Sequence, residues 1–305
     1  RRPLDRVLRE QLAARAGMQE IVTYPWAVEH LLAATGHDKS DTIPFDGAPA
    51  PDRASLRPSL IPNLLEAVAA NLRFHQAFSV FELGYVFKSC PYTARHERFE
   101  ALPVQQRMLA GAIVGDTGAV LFLRAKGVLE MLRGHANLTD LRFEVSAASA
   151  WADRLAHVGV SAGGRQVGAL GLLSNKVRRA AGIQTQVVCF ELDVDLLSAY
   201  DSRDNRYEPV PEFPDADFDL SVVVADNVSW DEVATTVRSV HELVHAVTFV
   251  DEFRGSWVPQ DHRAVTLRMT LRSATSTLTA DEIAATRRAV LDSLDARHGA
   301  RLREV

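Results

Sequence analysis

Two rhythms of apolar positions alternate along this chain. Leu4, Val7, Leu8 and Leu12 fall three or four residues apart, the spacing of one helical face, and Gly17 stands where a C-terminal cap would. Residues 59–74 repeat that spacing through Leu60, Leu64, Leu65, Val68 and Leu72. Pro62 falls in the first turn of this segment, where a missing N–H costs little. Residues 122–132 predict a further helix, and residues 27–34 a short one. Strand-like runs occupy residues 20–24, 78–87, 108–114, 141–145, 157–160, 166–173 and 186–192. The run 78–87, FSVFELGYVF, is apolar on both faces and predicts a central, buried strand. Gly163–Gly164 marks a hairpin turn. Residues 37–51 and 90–103 carry neither rhythm and are expected to be irregular, and a basic segment at 176–179 separates the last two strands. Hairpin-like strand spacing predicts a mainly antiparallel α+β sheet over residues 1–197.

Residues 198–206, SAYDSRDNR, are polar and read as a linker, placed at 198–208. From 209 to 305 the order is plainer. Residues 219–224 predict a strand. Ser229 and Glu232 form an S-x-x-E capping box ahead of a helix carrying Val233 and Val237. A strand containing VTFVDEF follows. Residues 264–272 alternate strictly, with Val265, Leu267, Met269 and Leu271 on one face and Thr266, Arg268, Thr270 and Arg272 on the other. Thr279 and Glu282 form a second box, opening a helix with Ile283, Val290, Leu291 and Leu294 on its buried stripe. A short strand at 300–303 closes the series. The order βαββαβ is that of the ferredoxin-like split unit. It places both helices on one sheet face and leaves the Arg268/Arg272 face open, a surface that related folds use for nucleic acid.

Composition adds limits. Apolar residues are 47% and charged residues 24%, as in ordinary water-soluble domains, and no apolar run approaches the roughly 18 residues of a membrane span. The opening RRPLDRVLREQL is charged and periodic, unlike a signal peptide, and the first residue is Arg, so an excised piece of a longer chain is expected. Cys90 and Cys189 are too few for a metal cage or a disulfide framework and fit a reducing cytoplasm. Residues 209–305 hold 10 arginines, no lysine and 16 acids, a balance of −6, while residues 1–208 stand at +1. Neither part is a basic nucleic-acid domain in bulk, so any RNA contact must be local and directed.

Two stretches carry candidate chemistry. Residues 247–255, VTFVDEFRG, set a carboxylate, Asp251, and a ring, Phe253, two residues apart, on one face of a strand. A ring stacks on a flat base and a carboxylate accepts from base N–H groups; equally, a core ring beside a turn acid would read the same way. Phe249 shares the alternation, so either the open face carries an extra ring or a bulge near Val250 switches sides. Residues 241–245, HELVH, match the H-E-x-x-H zinc pattern, which would make His241, Glu242 and His245 a metalloprotease site. That chemistry needs both histidines on one helical face, and here the pattern is expected to straddle a helix end.

Several motifs, in order, resemble one family. Residues 17–24, GMQEIVTY, are similar to G-x-x-E-V-x-T-Y; 56–65, LRPSLIPNLL, with Asn71 following, to L-R-x-S-L-x-P-x-L-L…N; 81–87, FELGYVF, to F-E-x-G-x-V-F; and 126–130, KGVLE, to K-G-x-x-E. Phe213–Pro214 with 219–221, then VDEFRG (250–255), TLTADE (277–282) and GARLR (299–303), follow F-P…R-D-L-S, F-D-x-Y-x-G, T-L-T-x-x-E and G-A-x-L-R. The chain resembles the C-terminal portion of the bacterial phenylalanyl-tRNA synthetase β chain. The resemblance implies a class II synthetase-like core without catalytic residues over 1–197 and a ferredoxin-like anticodon-binding domain over 209–305. It implies a catalytic α chain as partner in a heterotetramer of two α and two β chains, tRNA as ligand, and ATP and Mg in the α chain with no cofactor in this one. Asp251 and Phe253 would meet the anticodon, with Arg254, Arg268 and Arg303 as further RNA contacts. The lost catalysis agrees with the residues, because FELG holds no Arg and no G-x-G-x-x-x-R follows, so a triphosphate would lack cationic partners. The chain departs from the family at Phe218, usually Arg, at 151–154 (WADR for H-P-G-R) and at 174–175 (SN for H-P). These departures motivate an alternative, a paralogue that binds RNA or protein without aminoacylation.

Overall fold

The computed structural model describes residues 3–44, 46–88, 103–138, 140–199 and 210–303. The chain divides into two compact units, Arg1–Arg206 and Tyr207–Val305. All but the last residue of the expected irregular stretch 90–103, and most of the expected linker, lie outside the described residues.

In the first unit, α1 (Leu4–Glu10) continues through a π-helical turn to Arg15 and stops at Gly17, whose φ of +65° suits glycine. There follow β1 (Gln19–Glu20), β2 (Trp26–Ala27), α2 (Glu29–Ala34), β3 (Ile43–Pro44), β4 (Ser55–Leu56), α3 (Ile61–Asn71), β5 (Phe78–Lys88), β6 (Val104–Gly115) and α4 (Gly118–His135). Then come β7 (Arg142–Glu144), β8 (Ala152–Ala162), β9 (Arg165–Leu173), α5 (Asn175–Ala180), β10 (Gln186–Asp193) and α6 (Val194–Ser198). Seven strands form one sheet in the order β1-β5-β6-β10-β9-β8-β7, antiparallel except for the β1–β5 pair. β2, β4 and β3 form a small second sheet. Gly163 and Gly164 turn the β8–β9 hairpin, both with positive φ, as a type I′ turn requires.

Both faces of the large sheet are covered. Leu8, Leu12, Leu129 and Leu132 pack with Phe81, Leu109, Ile113 and Phe190 on one side. Leu60, Ile61, Leu64 and Leu65 pack with Val80, Val86, Ala110, Ala112 and Cys189 on the other. This cover explains the two-sided apolar run of β5. It also corrects an expectation: β5 is second from the sheet edge, and β10 is central. Apolar residues on both faces report layers above and below a strand, not its number of neighbours. A second correction concerns residues 20–24. Only Gln19–Glu20 pair with β5, and Val22 and Tyr24 stand exposed. The basic segment 176–179 lies in α5, whose first turn Ser174 caps by accepting from the Val177 N–H.

The second unit comprises β11 (Ala216–Ala225), α7 (Trp230–Arg238), β12 (Val244–Phe253), β13 (His262–Leu271), α8 (Ala280–His298) and β14 (Arg301–Leu302). The sheet order β12-β13-β11-β14 is the ferredoxin-like arrangement expected from βαββαβ. Both capping boxes form: Ser229 with Glu232 and Thr279 with Glu282. Gly299, at φ +61°, ends α8 so that β14 can join β11. Val233, Val237, Val290 and Leu294 from the helices meet Leu220, Val222, Val265, Leu267 and Met269 from the strands. The helices therefore cover one face, and the opposite face carries no helix of this unit.

Candidate functional site

β13 sets the scale for the uncovered face of the second unit. Val265, Leu267, Met269 and Leu271 are in the core, so Thr266, Arg268 and Thr270 point the other way. On β12, Phe249 pairs with Leu267 but Asp251 pairs with Thr266, which leaves Val250 as the extra residue of a bulge. The bulge settles the alternation left open by the sequence. Phe249 turns to the helical side, where its ring meets Trp230 edge-on at 5.4 Å. Asp251 and Phe253 share the open face. Asp251 Oδ1 accepts from the Glu252 N–H at 2.9 Å.

Charge on this face is cancelled in cross-strand pairs. Arg268 donates twice to Asp219, at 2.7 and 2.9 Å, and Arg272 donates twice to Asp215, both at 2.7 Å. Thr270 donates to Asp217 at 2.6 Å. The guanidinium beside each holds the Asp219 and Asp215 carboxyls below the usual carboxylate range. Acidification through that lowered range would protonate the aspartates and leave the two arginines unpaired.

The other end of the face differs. The row across the four strands runs Asp251, Thr266, Ser221, Arg303: Thr266 is opposite both Asp251 and Ser221, and the Arg303 N–H donates to the Ser221 carbonyl at 3.0 Å. The next row runs Phe253, Ala264, Val223, Arg301. Trp257, from the loop between β12 and β13, stacks on Phe253 with centroids 5.2 Å apart and planes 5° from parallel. The Arg303 guanidinium sits 4.5 Å from the centre of the Trp257 ring. The Arg301 side chain makes no hydrogen bond or ion pair among the described residues.

Of the residues singled out from sequence, Asp251, Phe253 and Arg303 thus gather at one end of one face. Arg268 shares the face but is engaged by Asp219. Arg254 is set apart: it donates to Asp226 at 2.6 Å and to Glu252 at 3.1 Å, and Glu252 pairs with core-facing Val265. A strand-end residue directly after Phe253 projects to the opposite side. Trp257 and Arg301 escaped the sequence reading. Arg301 was detectable, because it stands two residues before Arg303 on a strand. Nothing local marks Trp257, whose place depends on the fold of its loop.

In the first unit the motif residues converge on a buried polar network. Arg57 pairs with Glu82 at 2.9 Å, with only 5% and 2% of the two side chains exposed. Arg57 also donates to the Thr23 hydroxyl at 2.6 Å and the Tyr85 carbonyl at 2.9 Å. Thr23 donates in turn to Glu82 at 2.7 Å. Gly84 leaves room for the pair: a Cβ there would lie 2.7 Å from Arg57 Nη2 and 3.1 Å from Glu82 Oε1, so the pair would have to shift. Glu82, Ala110, Glu191 and Ala169 form one row across β5, β6, β10 and β9, on the face beneath α3. The Leu60 N–H and the Ser59 hydroxyl donate to Glu191 at 2.7 and 2.9 Å, and burial pushes the Glu191 carboxyl above its ordinary range. Leu60, Ile61, Leu64 and Leu65 fill the remaining space with no exposed surface. Arg57 thus meets protein groups through Nε and Nη1, tying the segments of Thr23, Glu82 and Tyr85 together.

The departures from the motifs have structural roles. Phe218 packs against the core on the helical side of β11, away from the open face. Trp151 is 5% exposed in the core on the α3 side of the large sheet, edge-on to His157. Ser174 caps α5. The HELVH residues 241–245 lie in the turn after α7 and the start of β12, so His241 and His245 do not share a helical face. Among the described residues no three His, Cys, Asp or Glu side chains gather as a metal cage, and no helix is long and apolar enough to cross a membrane.

Comparison with known proteins agrees with this division. Residues 1–194 match the model of the phenylalanyl tRNA synthetase beta chain CLM domain, and residues 211–303 that of the ferredoxin-fold anticodon binding domain. The phenylalanine–tRNA ligase beta subunit of Moorella thermoacetica is 30% identical over 96% of this chain and 37% of its own length. That of Halalkalibacterium halodurans is 29% identical over 94% of this chain and 36% of its own. The chain therefore spans little more than a third of these relatives. Among solved structures, a pyrrolysyl tRNA synthetase from Desulfitobacterium hafniense shares the fold with a TM-score of 0.52, at 18% identity, over 64% of this chain and 66% of the other. By these matches, its core and its terminal domain together, the chain belongs to the phenylalanyl-tRNA synthetase beta chain family.

Proposed function

We propose that this chain is the C-terminal part of a phenylalanine–tRNA ligase β subunit that scaffolds the catalytic α chain and touches the tRNA anticodon. The first unit is a class II synthetase-like core that has exchanged its catalytic groups for the Arg57–Glu82 network. ATP and magnesium then act in the α chain, within a cytoplasmic heterotetramer of two α and two β chains. Asp251 and Phe253 meet the first anticodon base, by hydrogen bonding and stacking, with Arg303 beside them.

The observation that carries the RNA reading is the bulge at Val250, which puts Asp251 and Phe253 together on the uncovered face. The test is co-expression of the full β chain with the α chain of the same organism. A stable assembly that charges tRNA with phenylalanine is expected. No assembly, or an assembly that cannot charge, would instead favour a paralogue with another binding role.

A second expectation separates the arginines. Arg268 is neutralised by Asp219, so Arg268→Ala should leave the salt dependence of tRNA binding unchanged. Loss of a true phosphate contact would lower the slope of log affinity against log salt by about 0.7–0.9. Titration of tRNA binding across a salt series measures the difference.

A further inference from the structure

Phe253 ends the edge strand β12, and Arg303 directly follows β14, the opposite edge strand of the four-stranded sheet. Three strand steps, about 14 Å across the sheet, and an offset of two residues along it separate them. Trp257 touches both, so it must lie between them, across the open face. Ala264, opposite Phe253 on that face, is 2% exposed. The result is a layered row of ring, indole and guanidinium.

That row has the form in which proteins hold a single unpaired base, with an aromatic ring on one side and an arginine plane on the other. Here the middle layer is a flat bicyclic ring of purine size supplied by the protein. We propose that the space between the Phe253 ring and the Arg303 guanidinium is the seat of one unpaired purine base, and that Trp257 occupies it until RNA enters. This rests on the anticodon reading above and deepens it.

Three observations support a displaceable indole rather than a fixed one. Trp257 belongs to a hairpin loop and is not among the residues packed in the unit's hydrophobic core. Its side remains open to water, with 42% of Trp257 exposed, as is 42% of Phe253. The groups around the seat suit a base better than an indole. Asp251 spends one carboxylate oxygen on the Glu252 N–H, and the other has no partner among the described residues, ready for a base N–H. The Thr266 and Ser221 hydroxyls, 3.2 Å apart, line the row between Asp251 and Arg303. An indole offers one N–H to these groups, whereas a purine edge offers several donors and acceptors.

The test uses the full β chain assembled with its α chain, titrated with phenylalanine tRNA. Trp257→Ala should bind about two- to tenfold more tightly, because the incoming base no longer competes with the Phe–Trp stack. Trp257→Phe should fall between that variant and the parent. Adding Arg303→Ala to Trp257→Ala should remove the gain. In the parent, tRNA should shift the indole emission to longer wavelength as Trp257 leaves the stack, and Trp257→Phe should lose that shift. Unchanged or weaker binding by Trp257→Ala would overturn the proposal. If Phe253→Ala weakens binding in the same series, the anticodon reading survives that failure; if Phe253→Ala binds as well as the parent, the anticodon reading fails first.

Discussion

Replacing Arg57 with alanine should destabilise the first unit by about 3–5 kcal/mol, the usual consequence of orphaning one partner of a buried ion pair. Glu82 would keep its two contacts from Thr23 but lose the cation that offsets its burial, at 1% residue exposure. The Tyr85 carbonyl and the Thr23 hydroxyl would each lose a donor. Against a typical total of about 5–15 kcal/mol, that loss would leave the unit barely folded at room temperature. Lysine should not rescue it, because a single ammonium cannot reproduce the guanidinium's divergent donors. Replacing both partners, as in Arg57→Met with Glu82→Leu, should recover most of the loss, since no charge is then left buried. Urea unfolding followed by far-ultraviolet circular dichroism measures all three. A cost below about 1 kcal/mol for Arg57→Ala would mean that the network is not what ties these segments together.

Phe253→Ala should weaken tRNA binding by about 1–3 kcal/mol, roughly five- to 150-fold, the range for loss of one base–aromatic stack. The variant removes the wall of the seat as well as the platform, so unlike Trp257→Ala it cannot help the base. Phe253 is 42% exposed and outside the core, so the unfolding midpoint should move little. Asp251→Ala should act in the same direction by removing an acceptor rather than a stacking face. Equilibrium binding of tRNA to the assembled enzyme, beside thermal unfolding of the same samples, separates lost contact from lost fold. A Phe253→Ala variant that binds like the parent would show that the open face is not where the base lies.

Much of this architecture was legible in the chain because its rules are local. The two capping boxes, Ser229 with Glu232 and Thr279 with Glu282, read directly as helix starts, and both form. The alternation in β13 separated core from open face without reference to any partner strand. The misreadings share a cause. The length of the strand after Gly17 and the place of β5 in its sheet depend on which neighbours exist, and neighbours are supplied by distant segments.

The candidate site divides along the same line. The pairing of an acid with a ring in VDEF, and the arginines of GARLR, follow from side-chain chemistry and a period of two, so the sequence by itself determined which groups were available and that they needed a strand. Tertiary structure alone decided which of them are free to act. Arg268 and Arg272 look like open cations until β11 brings Asp219 and Asp215 opposite them, 49 and 57 residues away in sequence. The bulge at Val250, set by pairing with β13, keeps Asp251 with Phe253 and sends Phe249 away. The position of Trp257 between the two edges of the sheet needs four strands in order before it has any meaning. Periodicity is a property of one segment, but charge cancellation, register and occupancy are relations between segments, and only packing creates them.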